Sequence, residues 1–217
     1  MRQLVLVWGL LVALTTLPLA CRAIPKLARV PKTPDIVIKA DEGYLEGEEA
    51  ERDLSKKYYQ PLEEIIVEVR EIFPVQEFEF FERQVGFFPA PKREQGSYLG
   101  IGAYTEKTFN TIVTNRNKRV ATIFAMYGKP LLEIMAAKEQ PMGDPSLQGL
   151  KLYITYWKKD ATKNPYGKGE TEWVEFFFKK KDVLEYLDRR ITDQELLDNN
   201  YVFMQSGRVK ILMGEAL

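Results

Sequence analysis

Histidine is absent from this chain of 217 residues, and cysteine occurs once, at Cys21. These two absences exclude histidine-dependent catalytic triads, histidine-ligated zinc or haem sites, zinc fingers and disulfide bonds within the chain. Basic and acidic residues each number 31, so no net positive charge favours nucleic acid as a partner. We therefore expect no metal, no cofactor and no bound nucleic acid. Any catalysis would have to use carboxylates, hydroxyls or lysine.

The N-terminus carries the strongest targeting signal in the sequence. Met1-Arg2-Gln3 precedes an uncharged, mostly apolar run over residues 4–20, LVLVWGLLVALTTLPLA. A charged start followed by a hydrophobic stretch is typical of a secretory signal peptide. The run contains Pro18 and falls short of the roughly 20 apolar residues that span a membrane comfortably. We expect export, with residues 1–20 forming a signal peptide that is removed.

Cys21 follows Leu19 and Ala20 at the end of this run. The placement resembles the lipobox of bacterial lipoproteins, although Pro18 stands where that motif usually has an aliphatic residue. The resemblance implies lipid attachment at Cys21, and two or more acyl chains would hold the protein at a membrane. Two alternatives remain open. Cleavage after Ala23 would give a soluble exported protein, and an uncut segment would stay in the membrane.

The remainder of the chain agrees with a bacterial origin. Exported eukaryotic proteins commonly contain disulfides or Asn-x-Ser/Thr glycosylation sites, and this sequence has neither. We therefore predict a protein of the bacterial periplasm or cell surface, anchored to the membrane if Cys21 is lipidated.

Prolines and charges divide the chain behind the signal into two regions. Residues 21–60 are rich in proline and then acidic, which predicts a tether or a surface segment. Residues 61–217 have the apolar periodicity of a folded domain.

Helix predictions follow from proline positions and capping residues. Pro61 suits the first turn of a helix, because its φ angle is fixed and it lacks an N–H group, and Pro74 ends that helix. Pro130 predicts a second helix in the same way. Asp182 is predicted to cap a third helix, and Thr192 begins a capping box that predicts a fourth.

Segments with alternating or aromatic-rich patterns predict β-strands at residues 77–84, 97–105, 108–114, 119–127, 150–159 and 171–180. Residues 115–118 are predicted to form a hairpin turn, because asparagine tolerates positive φ angles. Residues 201–204 and 208–213 predict a terminal hairpin. Since these strands are mostly adjacent in sequence, we predict a single α+β domain, with an antiparallel or mixed sheet packed against a few short helices.

The loop over residues 160–170 is the candidate binding site. It is longer than a tight hairpin needs, and long loops on rigid hairpins often carry binding residues. Its basic and aromatic side chains suggest an anionic ligand. The candidate residues in and beside the loop are Trp157, Lys158, Lys163, Tyr166 and Lys168.

The sequence as a whole predicts a lipid-anchored binding or accessory module of the bacterial envelope, without enzymatic activity. Its partner would be an unknown envelope protein or an anionic ligand. The alternative is an envelope hydrolase that uses carboxylates or a Ser/Lys pair, which convergence of such groups in one deep pocket would favour.

Overall fold

The computed structural model of the protein describes residues 49–91, 95–163, 166 and 169–213, and within this part it leaves the side chains of residues 82–84 undescribed. The predicted signal peptide and Cys21 lie outside the described residues. Among the helices that are described, none has the length and hydropathy to cross a membrane.

Helices and strands alternate in groups along the described part of the chain. The helices are α1 (Glu49–Lys57), α2 (Tyr59–Ile72), α3 (Arg116–Ile123), α4 (Lys129–Ala136), α5 (Glu139–Gly143), α6 (Lys180–Leu187) and α7 (Asp193–Asp198), and a π-helical turn (Phe124–Gly128) joins α3 to α4. The strands are β1 (Phe78–Pro89), β2 (Ser97–Asn110), β3 (Leu147–Lys159), β4 (Glu170–Lys179), β5 (Tyr201–Met204) and β6 (Gly207–Arg208).

The strands form one six-stranded sheet in sequence order, from β1 to β6. The β2–β3 pair is parallel, and the other neighbouring pairs are antiparallel. The prediction of a single α+β domain with a mixed sheet and short helices is therefore confirmed. A parallel pair needs a long crossover connection, and α3, the π-helical turn, α4 and α5 provide it between β2 and β3.

The helices pack against one face of the sheet, which we call the core face. Phe124 of the crossover lies 5.8 Å from both Phe176 and Phe178 of β4, and Tyr127 lies 5.7 Å from Phe78 of β1, between ring centroids. Alternation along each strand supplies this face with apolar side chains. Burial of these rings and of the helix residues facing them forms one continuous hydrophobic core.

Several predicted elements are confirmed with small shifts at their ends. The helix predicted from Pro61 begins two residues earlier as α2 and ends at Ile72, just before Pro74. The helix at Pro130 is α4, and Thr192 forms the predicted capping box with Glu195 at the start of α7. The strands predicted at 150–159 and 171–180 are β3 and β4, and the terminal hairpin is β5 and β6 with a shorter second strand.

Two other strand predictions had wrong boundaries. The segment predicted at residues 97–105 and the first three residues of the one predicted at 108–114 form the single strand β2, whose pairing with β3 is irregular between Tyr104 and Thr108. Residues 111–114, also predicted as strand, follow β2 as a turn. The strand predicted at residues 77–84 continues to Pro89 as β1, past a bulge between Phe80 and Val85.

The hairpin turn at residues 115–118 and the strand at residues 119–127 were wrong. Asn115 instead caps α3, because its side chain accepts a hydrogen bond of 2.8 Å from the backbone N–H of Lys118. Asparagine favours both turns and N-caps, so the residue alone did not distinguish them. The buried residues that follow, Val120, Ala121, Ile123, Phe124 and Tyr127, have the spacing of a helix face.

Asp182 was predicted to cap α6, and this was wrong. The helix begins at Lys180, so Asp182 lies inside it. The carboxylate lies in the first turn, where the helix dipole favours negative charge.

Packed structure extends to the N-terminal side of Pro61. The segment predicted as a tether or surface segment contains α1, in which Leu54 is 7% exposed and joins the core. Tyr58, between α1 and α2, contacts Phe87 of β1 at a centroid distance of 5.7 Å.

We predict that Asn115→Ala lowers the free energy of unfolding by about 1 kcal/mol, because it removes the N-cap of α3. Asn117→Ala is the matched control inside the same helix, where alanine is the better helix former, and should not destabilise the protein. Urea unfolding followed by circular dichroism measures both. Equal destabilisation by the two substitutions would contradict the capping role.

Candidate functional site

The sheet face opposite the helices, which we call the outer face, is rich in aromatic rings. The strand register places Tyr153 opposite Glu175 and places the next pair, Ile154 and Val174, on the core face. The outer face carries Phe81, Phe88, Tyr98, Tyr104, Lys151, Tyr153, Trp157, Trp173, Glu175, Phe177, Tyr201 and Phe203. The solvent side of an antiparallel sheet is usually polar, so this composition is unusual.

Four of these rings form a continuous series of contacts across β1 to β4. The Phe81 ring lies 4.1 Å from that of Tyr104 and 5.6 Å from that of Tyr153, between centroids. The Tyr153 ring lies 5.5 Å from that of Trp173. Tyr104 is 41% exposed, and the other three rings are half-buried by one another. Each ring is therefore supported by a neighbour while part of its surface faces solvent.

A shallow groove of about 560 Å³ follows this series of rings. Its lining combines the four rings with hydroxyl groups and one ion pair: Phe81, Tyr104, Lys151, Tyr153, Thr155, Thr171, Trp173 and Glu175. We call it the outer-face groove. Its volume lies within the range of roughly 300–1,000 Å³ that is typical of ligand sites.

The charged pair in the groove is held in place from several sides. Lys151 Nζ lies 2.9 Å from a carboxylate oxygen of Glu175. The same ammonium lies 4.6 Å from the ring centroid of Phe88 and 5.2 Å from that of Phe177. The Phe88 ring passes so close to Gly100 that a Cβ there would come within 2.5 Å of it. Glycine at this position thus leaves room for the Phe88 ring.

The Tyr153 hydroxyl is protonated at neutral pH. Burial raises the pKa of Tyr153 above the usual value of 10.0. A hydrogen bond with Thr155 acts to lower this pKa and the negative charge of Glu175 acts to raise it, and the net shift is upward. Its hydroxyl can therefore donate a hydrogen bond inside the groove.

The residues predicted from the loop at 160–170 point in different directions. Trp157 lies on the outer face, opposite Thr171, at one end of the groove. Lys158 points to the other face, where its Nζ lies 3.7 Å from Glu172. Lys163 pairs with Asp160 at 3.6 Å.

Tyr166 is fully exposed, and Lys168 lies outside the described residues. Binding by this loop stays a prediction.

A buried polar cluster at the start of the crossover has a structural role. Glu172 of β4 accepts hydrogen bonds from Arg119 Nε at 2.8 Å and Nη2 at 3.0 Å, and from the Tyr156 hydroxyl at 2.6 Å. Burial acts to raise the pKa of the Glu172 carboxyl, but the bonds from Arg119 and Tyr156 outweigh it and leave that pKa below its usual value. All three side chains are buried, and the hydrogen bonds between Arg119 and Glu172 join α3 to β4.

A second cleft, of about 740 Å³, lies between α1 and the start of β2. Its lining includes side chains of the kinds that a hydrolase could use. Ser97 Oγ donates a hydrogen bond of 2.7 Å to Glu51 Oε1, and Glu51 Oε2 has no hydrogen-bond partner among the described residues. Both residues are at least 96% buried, with exposures of 3% and 4%, and their bond joins α1 to β2.

Lys57, which also lines this cleft, is 2.9 Å from Asp144. The hydrogen bond with Asp144 raises the pKa of Lys57 well above its usual value. Lys57 is thus held in an ion pair with Asp144. The hydrolase alternative stays a prediction.

No protein-family model matches this chain, and neither curated proteins nor solved structures provide a match. In the part of the chain that the structure describes, no group of three or more His, Cys, Asp or Glu side chains could hold a metal ion. Functional interpretation therefore depends on the geometry of the site.

The outer-face groove was not predicted, although the sequence contains a signal for it. Along β3 and β4, aromatic residues occupy both alternating sets of positions, such as Tyr153 and Tyr156, or Trp173 and Phe176. A strand that is aromatic on both faces indicates a second surface that either packs or binds. The ring series itself joins four strands, so no single segment contains it.

We predict that Glu172→Gln lowers the free energy of unfolding by ~3–5 kcal/mol at pH 7, because it leaves Arg119 as a buried charge without its partner. A depressed carboxyl pKa contributes stability above its unfolded value of 4.5, and this contribution is lost as the pH falls through the folded pKa. The difference between variant and wild type should therefore shrink below about pH 4.

The control is Glu170→Gln, on the same strand and 3.9 Å from Lys158, with a side chain that is 85% exposed. We expect its effect to stay within about 0.5 kcal/mol. Urea unfolding at a series of pH values measures both variants. A Glu172→Gln effect that is small, or that grows in acid, would contradict the assigned role.

Proposed function

We propose that this protein is a non-enzymatic binding module of the bacterial cell envelope, exported by its N-terminal signal and anchored through lipid at Cys21. The outer-face groove is its binding site. The observation that carries this proposal is the series of four partly exposed rings across β1 to β4.

Exposed rings on a sheet face favour a binding role on energetic grounds. Apolar surface left in water contributes no burial energy to folding, whereas the same surface covered by a ligand contributes to affinity. Tyrosine and tryptophan dominate the energetics of many binding surfaces, because each offers a large rigid area with a polar group at its edge. Tyr104, Tyr153 and Trp173 have these properties in the groove.

The groove favours binding over hydrolysis. Glycoside hydrolysis ordinarily requires two carboxyl groups, one on each side of the scissile bond. The described lining contains one, Glu175, and it is paired with Lys151. An ion pair of this kind can position a ligand through a donor and an acceptor that lie side by side.

Export and lipid attachment can be tested with Cys21→Ser. We expect the wild type in the membrane fraction, beginning at Cys21 and with the added mass of acyl chains. The variant should lack this mass and leave the membrane fraction. Intact mass spectrometry of separated fractions measures both. A wild-type chain that is soluble and begins near Ile24, or one that retains residues 1–20, would contradict the anchor.

The binding role can be tested by co-sedimentation of the Cys21→Ser protein with isolated bacterial envelopes. In this background Tyr104→Ala should reduce the bound fraction by about tenfold, the loss expected for a central aromatic contact. Tyr59→Ala is the control, because Tyr59 is a similarly exposed tyrosine on α2. Absence of binding, or an equal reduction by both substitutions, would contradict a binding role for the outer face.

A further inference from the structure

We propose that the outer-face groove binds an uncharged oligosaccharide of β-linked hexoses. This inference deepens the proposed function and rests on it. The groove unites a series of aromatic rings, an adjacent cation and carboxylate, and two threonine hydroxyls, Thr155 and Thr171.

The charges of the groove favour a neutral ligand. Lys151 and Glu175 form an ion pair 2.9 Å long, so their charges cancel within the groove. An anionic ligand would approach Glu175, and a cationic ligand would approach Lys151, at an electrostatic cost in each case. The anionic ligand expected from the loop sequence is therefore not the ligand that this groove favours.

Hydroxyl groups of a sugar match this polar pattern. Neighbouring hydroxyls on a hexose can donate one hydrogen bond and accept another, which is what a lysine and a carboxylate side by side require. Hydrogen bonds to charged partners are stronger than those between neutral groups. The Tyr153 hydroxyl, which stays protonated, and the hydroxyls of Thr155 and Thr171 offer further donors and acceptors along the same groove.

The rings match the other surface of a sugar. A β-linked hexose with equatorial hydroxyls presents C–H groups on both faces of its ring, and these faces stack on aromatic side chains. Register places Tyr104, Thr155 and Trp173 directly opposite one another on three adjacent strands. Together with Phe81 on β1 the rings extend over four strands, a span of about 14 Å at the usual strand spacing. A short oligosaccharide can lie across this span.

Isothermal titration calorimetry of the Cys21→Ser protein with cellotetraose, an uncharged tetramer of β-linked glucose, tests the proposal. We expect saturable binding that Tyr104→Ala and Glu175→Gln each weaken by about tenfold. Tyr104→Phe keeps the ring and should retain most of the affinity. Tyr59→Ala, on α2, should bind as the parent protein does. Circular dichroism of each variant establishes that the fold is retained.

Three outcomes would overturn the proposal. Cellotetraose could fail to bind, the Tyr104 and Glu175 variants could bind it as tightly as the parent protein, or a sulfated tetrasaccharide could bind more tightly than cellotetraose. The envelope assay separates these failures from failure of the proposed function. Envelope binding that depends on Tyr104 without oligosaccharide binding would indicate a protein partner, whereas loss of both would remove the binding role of the outer face.

Discussion

The parallel pairing of β2 with β3 is the constraint on which the rest of the architecture depends. Two parallel neighbours cannot be joined by a tight turn, so the chain must cross the sheet before β3 begins. The crossover runs through α3, the π-helical turn, α4 and α5, and it brings Phe124 and Tyr127 onto the core face. The crossover thus packs on the core face, and strand alternation places the rings of the outer-face groove on the opposite side of the sheet.

The Arg119–Glu172 pair fastens this crossover to the sheet. Arg119 lies in α3, directly after β2, and Glu172 lies on β4, beyond the parallel pair. The Glu172 carboxylate accepts two hydrogen bonds from Arg119 and a third from the Tyr156 hydroxyl. These bonds satisfy its hydrogen-bonding capacity in a buried position. Arg119 also donates to the Thr114 carbonyl, which orients the turn between β2 and α3. A polar cluster therefore fixes the direction in which the helical layer begins.

Local sequence patterns predicted those elements whose cause is local. Pro74 follows the end of α2, Pro130 lies in the first turn of α4 and the Thr192 capping box begins α7, and the helices predicted from these residues were confirmed. Asn115 was misassigned because a hairpin turn and an N-cap make similar local demands, and the parallel pairing that decides between them is nonlocal. The groove was missed for the same reason, since Phe81 and Trp173 meet Tyr153 only through strand pairing.

This distinction between local and nonlocal structure bears on which surface is suited to binding. Tyr166 in the loop is fully exposed, so binding through it would require ordering of a side chain that has no packing to restrict it. The rings of the outer-face groove are already restricted by one another, and Lys151 is held by Glu175, Phe88 and Phe177. Less conformational entropy is lost when a ligand meets such a surface. On this ground, rings that are held by their neighbours are better suited to binding than a fully exposed ring such as Tyr166.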